Sequence, residues 1–278
     1  MPQVLITDIA MGESPRWHDG RLWFSDWGAE EVVAVDNEGN REVVVAGAAS
    51  LPFCFDWLPD GRLLIVSGQD GRVLSRAPDG SLSTHAELSG LSPHPWNEIV
   101  VDGRGNAYVN NIGFDFPEGD VAPGTIVLLT PGGEARPVAD GVMFPNGMAV
   151  TPDDATLIVA ESYAARLTAF DIQPDGSLAN RRVWAALPEG AAPDGICLDA
   201  EGAVWYGDVP NQHCLRVREG GEVLETIGLD RGCFACMLGG EDGRTLFMVA
   251  NRWGDPESTE RTGQILTAPA PAPHAGRP

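Results

Sequence analysis

The sequence predicts an all-β protein, a six-bladed β-propeller with four antiparallel strands per blade, and three observations point there. One pattern returns six times: an apolar strand, a turn built on Asp/Gly or a relative, and a second apolar strand. Aligned on Gly20, Gly61, Gly105, Asp154, Gly202 and Gly243, the copies lie 41, 44, 49, 48 and 41 residues apart, the size of one blade. A third strand and another turn follow each pair, so each unit supplies four strands. Finally, 34 Gly and 22 Pro are spread so evenly that few long stretches of good helix formers remain.

The units read in order along the chain. The first is GESPRWHDGRLWFSD from Gly12, continued by VVAVDNEGNREVVVA, and the second PFCFDWLPDGRLLIVSG from Pro52, continued by VLSRAPDGSLSTHA. The third is NEIVVDGRGNAYVNN from Asn97 with IVLLTPGGEARPVA, and the fourth NGMAVTPDDATLIVAES from Asn146 with LTAFDIQPDGSLANRRVWA. The fifth is DGICLDAEGAVWYGD from Asp194 with LRVREGGEVLETI. The sixth, CFACMLGGEDGRTLFMVAN from Cys233, is followed only by QILTAP, while VLITDI at residues 4–9 belongs to no unit. The N-terminal strand is therefore expected to complete the last blade and hide its open edge. Residues 1–268 form a single propeller domain in this reading, and 269–278 a disordered Pro/Ala-rich tail.

A net charge of -22 makes nucleic acid and anionic membrane poor partners. All 18 basic residues are Arg, which excludes lysine Schiff-base catalysis and Lys-dependent phosphate loops. The N-terminus lacks a signal-peptide pattern and no apolar run approaches a membrane span, so a cytoplasmic protein is expected. Five Cys, an odd number, predict reduced, buried thiols. Cys233-x-x-Cys236 falls on a predicted strand, where residues three apart point to opposite faces, so a redox or zinc role is not expected. No Gly-x-Ser-x-Gly elbow is present. A closed ring needs no partner for stability, so a monomer or weak oligomer is expected.

Residues seven or eight before each turn start the innermost strands, and a propeller brings them to one end of its axis. They are Glu13, Phe53/Cys54, Asn97, Asn146, Asp194 and Phe234/Ala235. Carboxylate and amide oxygens suit a hard divalent cation, with Glu13, Asn146 and Asp194 as ligands and Asn97 as a fourth ligand or a substrate contact. Taken singly, Asn146-Gly147 and Asp194-Gly195 read as turn dipeptides. Their coincidence at equivalent repeat positions is what points to a site. The second strands return to the same mouth and add Asp26, Gly68, Asn110/Asn111, Glu161/Ser162, Asp208 and Asn251. Of these, Asn111 and Asp208 are the substrate-contact candidates, together with His94 near the mouth, whereas Asp26 is expected to cap backbone N–H groups.

Together, Gly12-Glu13-Ser14-Pro15 with Trp17, Trp96-Asn97-Glu98 with Val101-Asp102, Pro145-Asn146-Gly147, and Pro193-Asp194-Gly195 leading into Cys197-Leu198-Asp199 carry a resemblance. The chain resembles the gluconolactonase and senescence-marker protein (regucalcin) family of metal-dependent six-bladed propellers over essentially all six repeats. The resemblance implies that Glu13, Asn146 and Asp194 hold one metal ion, that Asn97 contacts substrate, and that Asp194 also acts as general base. It implies calcium, zinc, manganese or magnesium, and the all-oxygen donor set favours calcium. The implied activity is hydrolysis of a sugar lactone. The animal branch of that family carries an Arg two residues before the equivalent of Asn97, where this chain has Pro95. With Trp96, Phe114, Phe116 and Phe144 nearby, a less polar cyclic ester becomes an alternative substrate. In the expected mechanism the cation polarises the lactone carbonyl while Asp194 or Glu13 deprotonates water. The competing readings are phosphotriester hydrolysis, a non-hydrolytic carbonyl step on the same metal site, and a non-catalytic metal-binding propeller.

Overall fold

The computed structural model describes residues 2–253 and 260–276, and among them it contains six four-stranded antiparallel sheets. The innermost strands are Gly12–His18, Phe53–Trp57, Trp96–Val101, Pro145–Val150, Pro193–Leu198 and Gly232–Gly239, here the inner strands of blades 1 to 6. They are buried almost throughout, because each faces neighbouring blades on both sides. The outermost strands, such as Arg41–Ala46, are largely exposed.

The ring closes as the unmatched N-terminal segment requires. Gln3–Ile9 is the outer strand of blade 6, paired antiparallel with Gly263–Pro269 from Gln3 opposite Thr267 to Ile9 opposite Gly263. Packing between blades is aromatic and aliphatic: Trp17 of blade 1 stacks on Phe247 of blade 6 at 5.4 Å, and Trp23 meets Trp57 of blade 2 edge-on at 5.1 Å. Between blades 3 and 4, Val100, Tyr108 and Ile126 pack with Met148, Val150 and Val159. Among the described residues no helix is long and apolar enough to cross a membrane.

Two expectations need correction. Of the segment 269–278 expected to be a disordered tail, residues 269–276 instead pack on the propeller and the last strand runs to Pro269, while 277 and 278 lie outside the described residues. Proline carbonyls and backbone amides of this segment pair with the hairpins at the end of the axis away from the mouth. The Ala200 N–H donates to the Pro273 carbonyl (2.8 Å), the His274 N–H to Gly243 (2.9 Å) and the Ala275 N–H to Leu198 (3.1 Å), while Ala270 and Ala272 are buried. The second correction concerns Cys233 and Cys236. A register shift between Cys233 and Ala235 breaks the strand alternation, and both residues fall in the same core cluster as Cys197 and Cys214, with Cys236 Sγ 4.0 Å from Cys197 Sγ. All five cysteines are buried and free, and burial raises the pKa of Cys54, Cys197, Cys214 and Cys236 well above the usual thiol range, as expected for packed thiols.

Candidate active site

Antiparallel pairing brings the start of each inner strand beside the end of the next strand at one mouth: Gly12 faces Asp26, Trp96 faces Asn111, Pro145 faces Glu161 and Pro193 faces Asp208. A cavity of about 410 Å³ opens there, and Glu13, Asn97, Asn146 and Asp194 all line it. Five of the six inner strands carry a register irregularity at this end, between Glu13 and Arg16, Trp96 and Glu98, Pro145 and Met148, Pro193 and Ile196, and Cys233 and Ala235. Such bulges re-aim side chains, which lets adjacent residues such as Asn97 and Glu98 both reach the cavity wall. Ser14 takes a left-handed φ of 48° within the first of them.

The Asn-Gly and Asp-Gly dipeptides are not turns. Gly147 and Gly195 lie inside strands, where the inner strands crowd one another. A Cβ on Gly147 would stand 2.5 Å from the Ile196 nitrogen, and one on Gly195 would stand 2.4 Å from the Ala235 Cβ. These glycines allow blades 4, 5 and 6 to converge tightly, which holds Asn146 and Asp194 close to each other.

Glu13 and Asp194 are carboxylates without a counter-ion, for among the described residues neither forms an ion pair. Burial, and then repulsion from Asp194 and Glu98, raises the Glu13 pKa well above the usual carboxylate range. Burial, then repulsion from Glu98, raises Asp194 likewise, partly offset by the neighbouring Asn146 amide. Two confined anions beside two amide side chains make an oxygen-rich, electron-rich donor set, which fits a hard divalent cation. The second amide, Asn97, donates weakly to the Pro145 carbonyl at 3.3 Å, which leaves its oxygen available.

Glu98, which sequence reasoning did not assign a role, lies in the wall beneath this group. Its carboxylate accepts from the Ser14 hydroxyl (2.9 Å) and from Arg16 Nη2 (3.1 Å), and Arg16 Nη2 also donates to the Ile99 carbonyl (2.6 Å). Arg16 is a buried cation on the axis side of blade 1 and Glu98 neutralises it, so Arg16 is committed away from Glu13. The only signal in the sequence was a carboxylate directly after Asn97, and regular strand alternation would have turned it away from the axis.

The outer-ring candidates divide. Asp208 does not line the cavity; it is buried and accepts from Asn211 Nδ2 (3.0 and 3.1 Å), His213 Nε2 (3.1 Å) and the Ala192 N–H (3.3 Å). Its oxygens are spent on holding a loop, which removes the reason to place it on substrate. Asn111 is also buried behind the wall, and its amide nitrogen has no hydrogen-bond partner among the described residues. His94 pairs with Asp115 (3.0 Å) and it is the neighbouring Pro95 that lines the cavity. Trp96 is fully buried and does not contribute to the mouth, whereas Phe114, Phe116 and Phe144 do. Asp26 caps the Ala10 and Met11 N–H groups (3.1 and 2.9 Å) and accepts from Arg261. Glu161 is bound by Arg166 (2.9 and 3.0 Å), Arg181 and the Met143 N–H. Ser162 does line the cavity, with its hydroxyl donated to the Pro193 carbonyl at 2.7 Å.

Comparison with known proteins now bears on this arrangement. The family model described as the SMP-30/Gluconolactonase/LRE-like region matches residues 11–252, nearly the whole propeller. The chain belongs to this family. It is similar to a 6-deoxy-6-sulfogluconolactonase of Pseudomonas putida, 26% identical over 193 residues, a match that covers 68% of this chain and 62% of that protein. The chain thus spans less than two thirds of that relative. It is 26% identical over 229 residues to the diisopropyl-fluorophosphatase of Loligo vulgaris, covering 73% of this chain and 68% of that enzyme. Its fold matches the crystal structure of a calcium-binding protein, regucalcin, from Agrobacterium tumefaciens with a TM-score of 0.81 at 20% identity, over 100% of this chain and 95% of that one.

Proposed function

We propose that the protein hydrolyses a lactone with the help of one divalent cation held by Glu13, Asn146 and Asp194. The observation that carries this reading is the convergence of Glu13, Asn97, Asn146 and Asp194 from four blades on one cavity, two of them carboxylates, one buried and one half-buried, without a counter-ion among the described residues. The similarity to a sulfogluconolactonase supports the bond broken, and a neighbour described as calcium-binding supports calcium over zinc, manganese or magnesium.

When bound, the cation supplies a Lewis acid for a carbonyl oxygen. The protein's own residues do the rest. Asn97, with its oxygen free, orients the substrate at the cavity wall. Asp194 accepts the proton of the attacking water, and Glu13 is the other carboxylate within reach of the same space. Asn146 lies on the wall beside Asp194, and Glu98 holds Ser14 and Arg16 beneath Glu13. No nucleophilic side chain is required. The acidic surface disfavours anionic substrates and favours departure of a carboxylate product.

Acid release from a lactone panel, with calcium, zinc, manganese or magnesium added, tests the reading beside Asp194→Ala and Asn146→Ala. Cation-dependent turnover that falls by about 10²–10⁴-fold in Asp194→Ala is expected for loss of a general base. Unchanged turnover in both variants would overturn it. The likeness to diisopropyl-fluorophosphatase favours a second reading, hydrolysis of a phosphorus ester on the same residues. A phosphotriester in the same panel separates the two: the lactone reading requires the larger kcat/KM on a lactone.

A further inference from the structure

The floor and the walls of the cavity differ in chemistry. Above the carboxylates and amides, one side is built of four rings, Phe114, Phe116, Phe144 and Tyr163. Phe144 is their hub: it stacks on Tyr163 at 4.5 Å and meets Phe116 edge-on at 5.3 Å and Phe114 at 5.8 Å. These contacts join the loop after blade 3's second strand to the entrance of blade 4, so the wall is assembled from separate parts of the chain.

Two features show that fold stability alone does not account for this wall. Phe144 holds a left-handed φ of 50°, which a bulky side chain adopts only at a cost in strain, and it does so two residues before Asn146. Phe116 and Tyr163 remain 42% and 49% exposed, so large aromatic surfaces face water at the rim. Strain at Phe144 positions a ring whose outer neighbours are left for something else to cover.

The walls also offer little to a polyhydroxylated molecule. Among the described residues that line the cavity there is no Arg and no His, and the chain has no Lys. Above the floor the polar groups are Gln69, the Ser162 and Tyr163 hydroxyls and the Trp27 and Trp253 indole N–H groups; of these the Ser162 hydroxyl is already donated to the Pro193 carbonyl and the Trp27 N–H to the Phe53 carbonyl. Each buried hydroxyl left without a partner weakens binding roughly tenfold or more.

We infer that the substrate is a lactone bearing an aromatic or extended apolar substituent: its ring seats on the polar floor and its substituent lies against Phe114, Phe116, Phe144 and Tyr163. The lactone part rests on the proposed function; the apolar arm rests on the aromatic wall alone. Ring-on-ring contact at the wall favours an aryl group in particular.

Three six-membered lactones with the same reactive ester test this: δ-valerolactone, δ-phenyl-δ-valerolactone and glucono-δ-lactone, each measured with saturating calcium. The expected order of kcat/KM is phenyl above unsubstituted by about tenfold or more, and the polyhydroxy lactone below both. In Phe116→Ala and in Phe144→Ala the phenyl-to-unsubstituted ratio is expected to fall towards one. A polyhydroxy lactone turned over as well as the phenyl lactone, or a ratio unmoved in both variants, overturns the inference. Calorimetric binding of the two corresponding lactams, valerolactam with and without the phenyl group, separates this from failure of the hydrolytic reading. If no lactone opens, phenyl lactam bound at least tenfold tighter by wild type but not by Phe116→Ala still supports the arm, and equal binding of the two lactams overturns it.

Discussion

Replacing Asp194 by Asn should make the cation-free protein more stable while abolishing its response to a divalent cation. Glu13 is buried and Asp194 half-buried; they line one cavity and have no cationic partner among the described residues. Without a cation, burial and mutual repulsion hold both carboxyls above the usual carboxylate range, so ionising them together is costly, and Asp194→Asn removes that cost while retaining an oxygen beside Asn146. Relief of that repulsion is worth roughly 1–3 kcal/mol. Addition of calcium at a hundred times its Kd stabilises wild type by about 2.7 kcal/mol. For a chain of 278 residues, at about 2.1 cal/mol/K of unfolding entropy per residue, this corresponds to a rise in Tm of about 5 °C. Scanning calorimetry of both proteins, chelated and calcium-loaded, reads all four values. Wild type should rise by several degrees, and Asp194→Asn should start a few degrees higher and stay there. A variant that starts lower, or that rises as much as wild type, would refute the argument that these carboxylates await a cation.

Three further outcomes follow from the geometry. Gly195→Ala should lower the calcium-induced Tm shift although residue 195 carries no ligand, because its Cβ would stand 2.4 Å from Ala235 and push the Asp194 backbone outward; overpacking costs typically 1–3 kcal/mol, and a calorimetric shift equal to wild type would contradict this. Glu161→Gln should cost about 2 kcal/mol at pH 7, measured by urea unfolding. Burial alone would raise the Glu161 pKa, but hydrogen bonds from Arg166, Thr168 and the Met143 N–H outweigh it and lower it. Its contribution is therefore full above the unfolded carboxylate's pKa and is lost as pH falls through the lower, folded value, so the gap between variant and wild type should close in acid. Deleting residues 2–9 should expose the edge of Gly263–Pro269 and yield self-association visible by light scattering, whereas a monodisperse monomer of wild-type Tm would show that the strand is not needed for closure.

Much of this architecture was legible because a propeller writes its period into the chain. Turns at Gly20, Gly61, Gly105, Gly202 and Gly243 fixed the blades, and the leftover strand at 4–9 had one place to go. The positions of Glu13, Asn97, Asn146 and Asp194 at the strand entrances could be read by counting back from the turns, and the cavity gathers all four. What escaped depends on departures from regular strands. Bulges at the entrances bring Glu98 to the wall beside Asn97, and bring Cys233 and Cys236 into one core cluster, against the alternation that strand geometry predicts. Asp208 and Asn111 sat at the right height on the second strands, but that strand is one layer further from the axis, where carboxylates serve loops instead of the cavity. The Pro/Ala-rich end looked like a spacer by composition; its pairing with the Leu198, Ala200 and Gly243 backbones needed the far face of blades 5 and 6 to exist first.

The most direct test of the account is to locate the cation. In crystals of the calcium-loaded wild type, one anomalous peak per chain is predicted on the axis, in contact with Glu13, Asn146 and Asp194 together. A peak at any other place, or none at calcium concentrations that support lactone turnover, would contradict it.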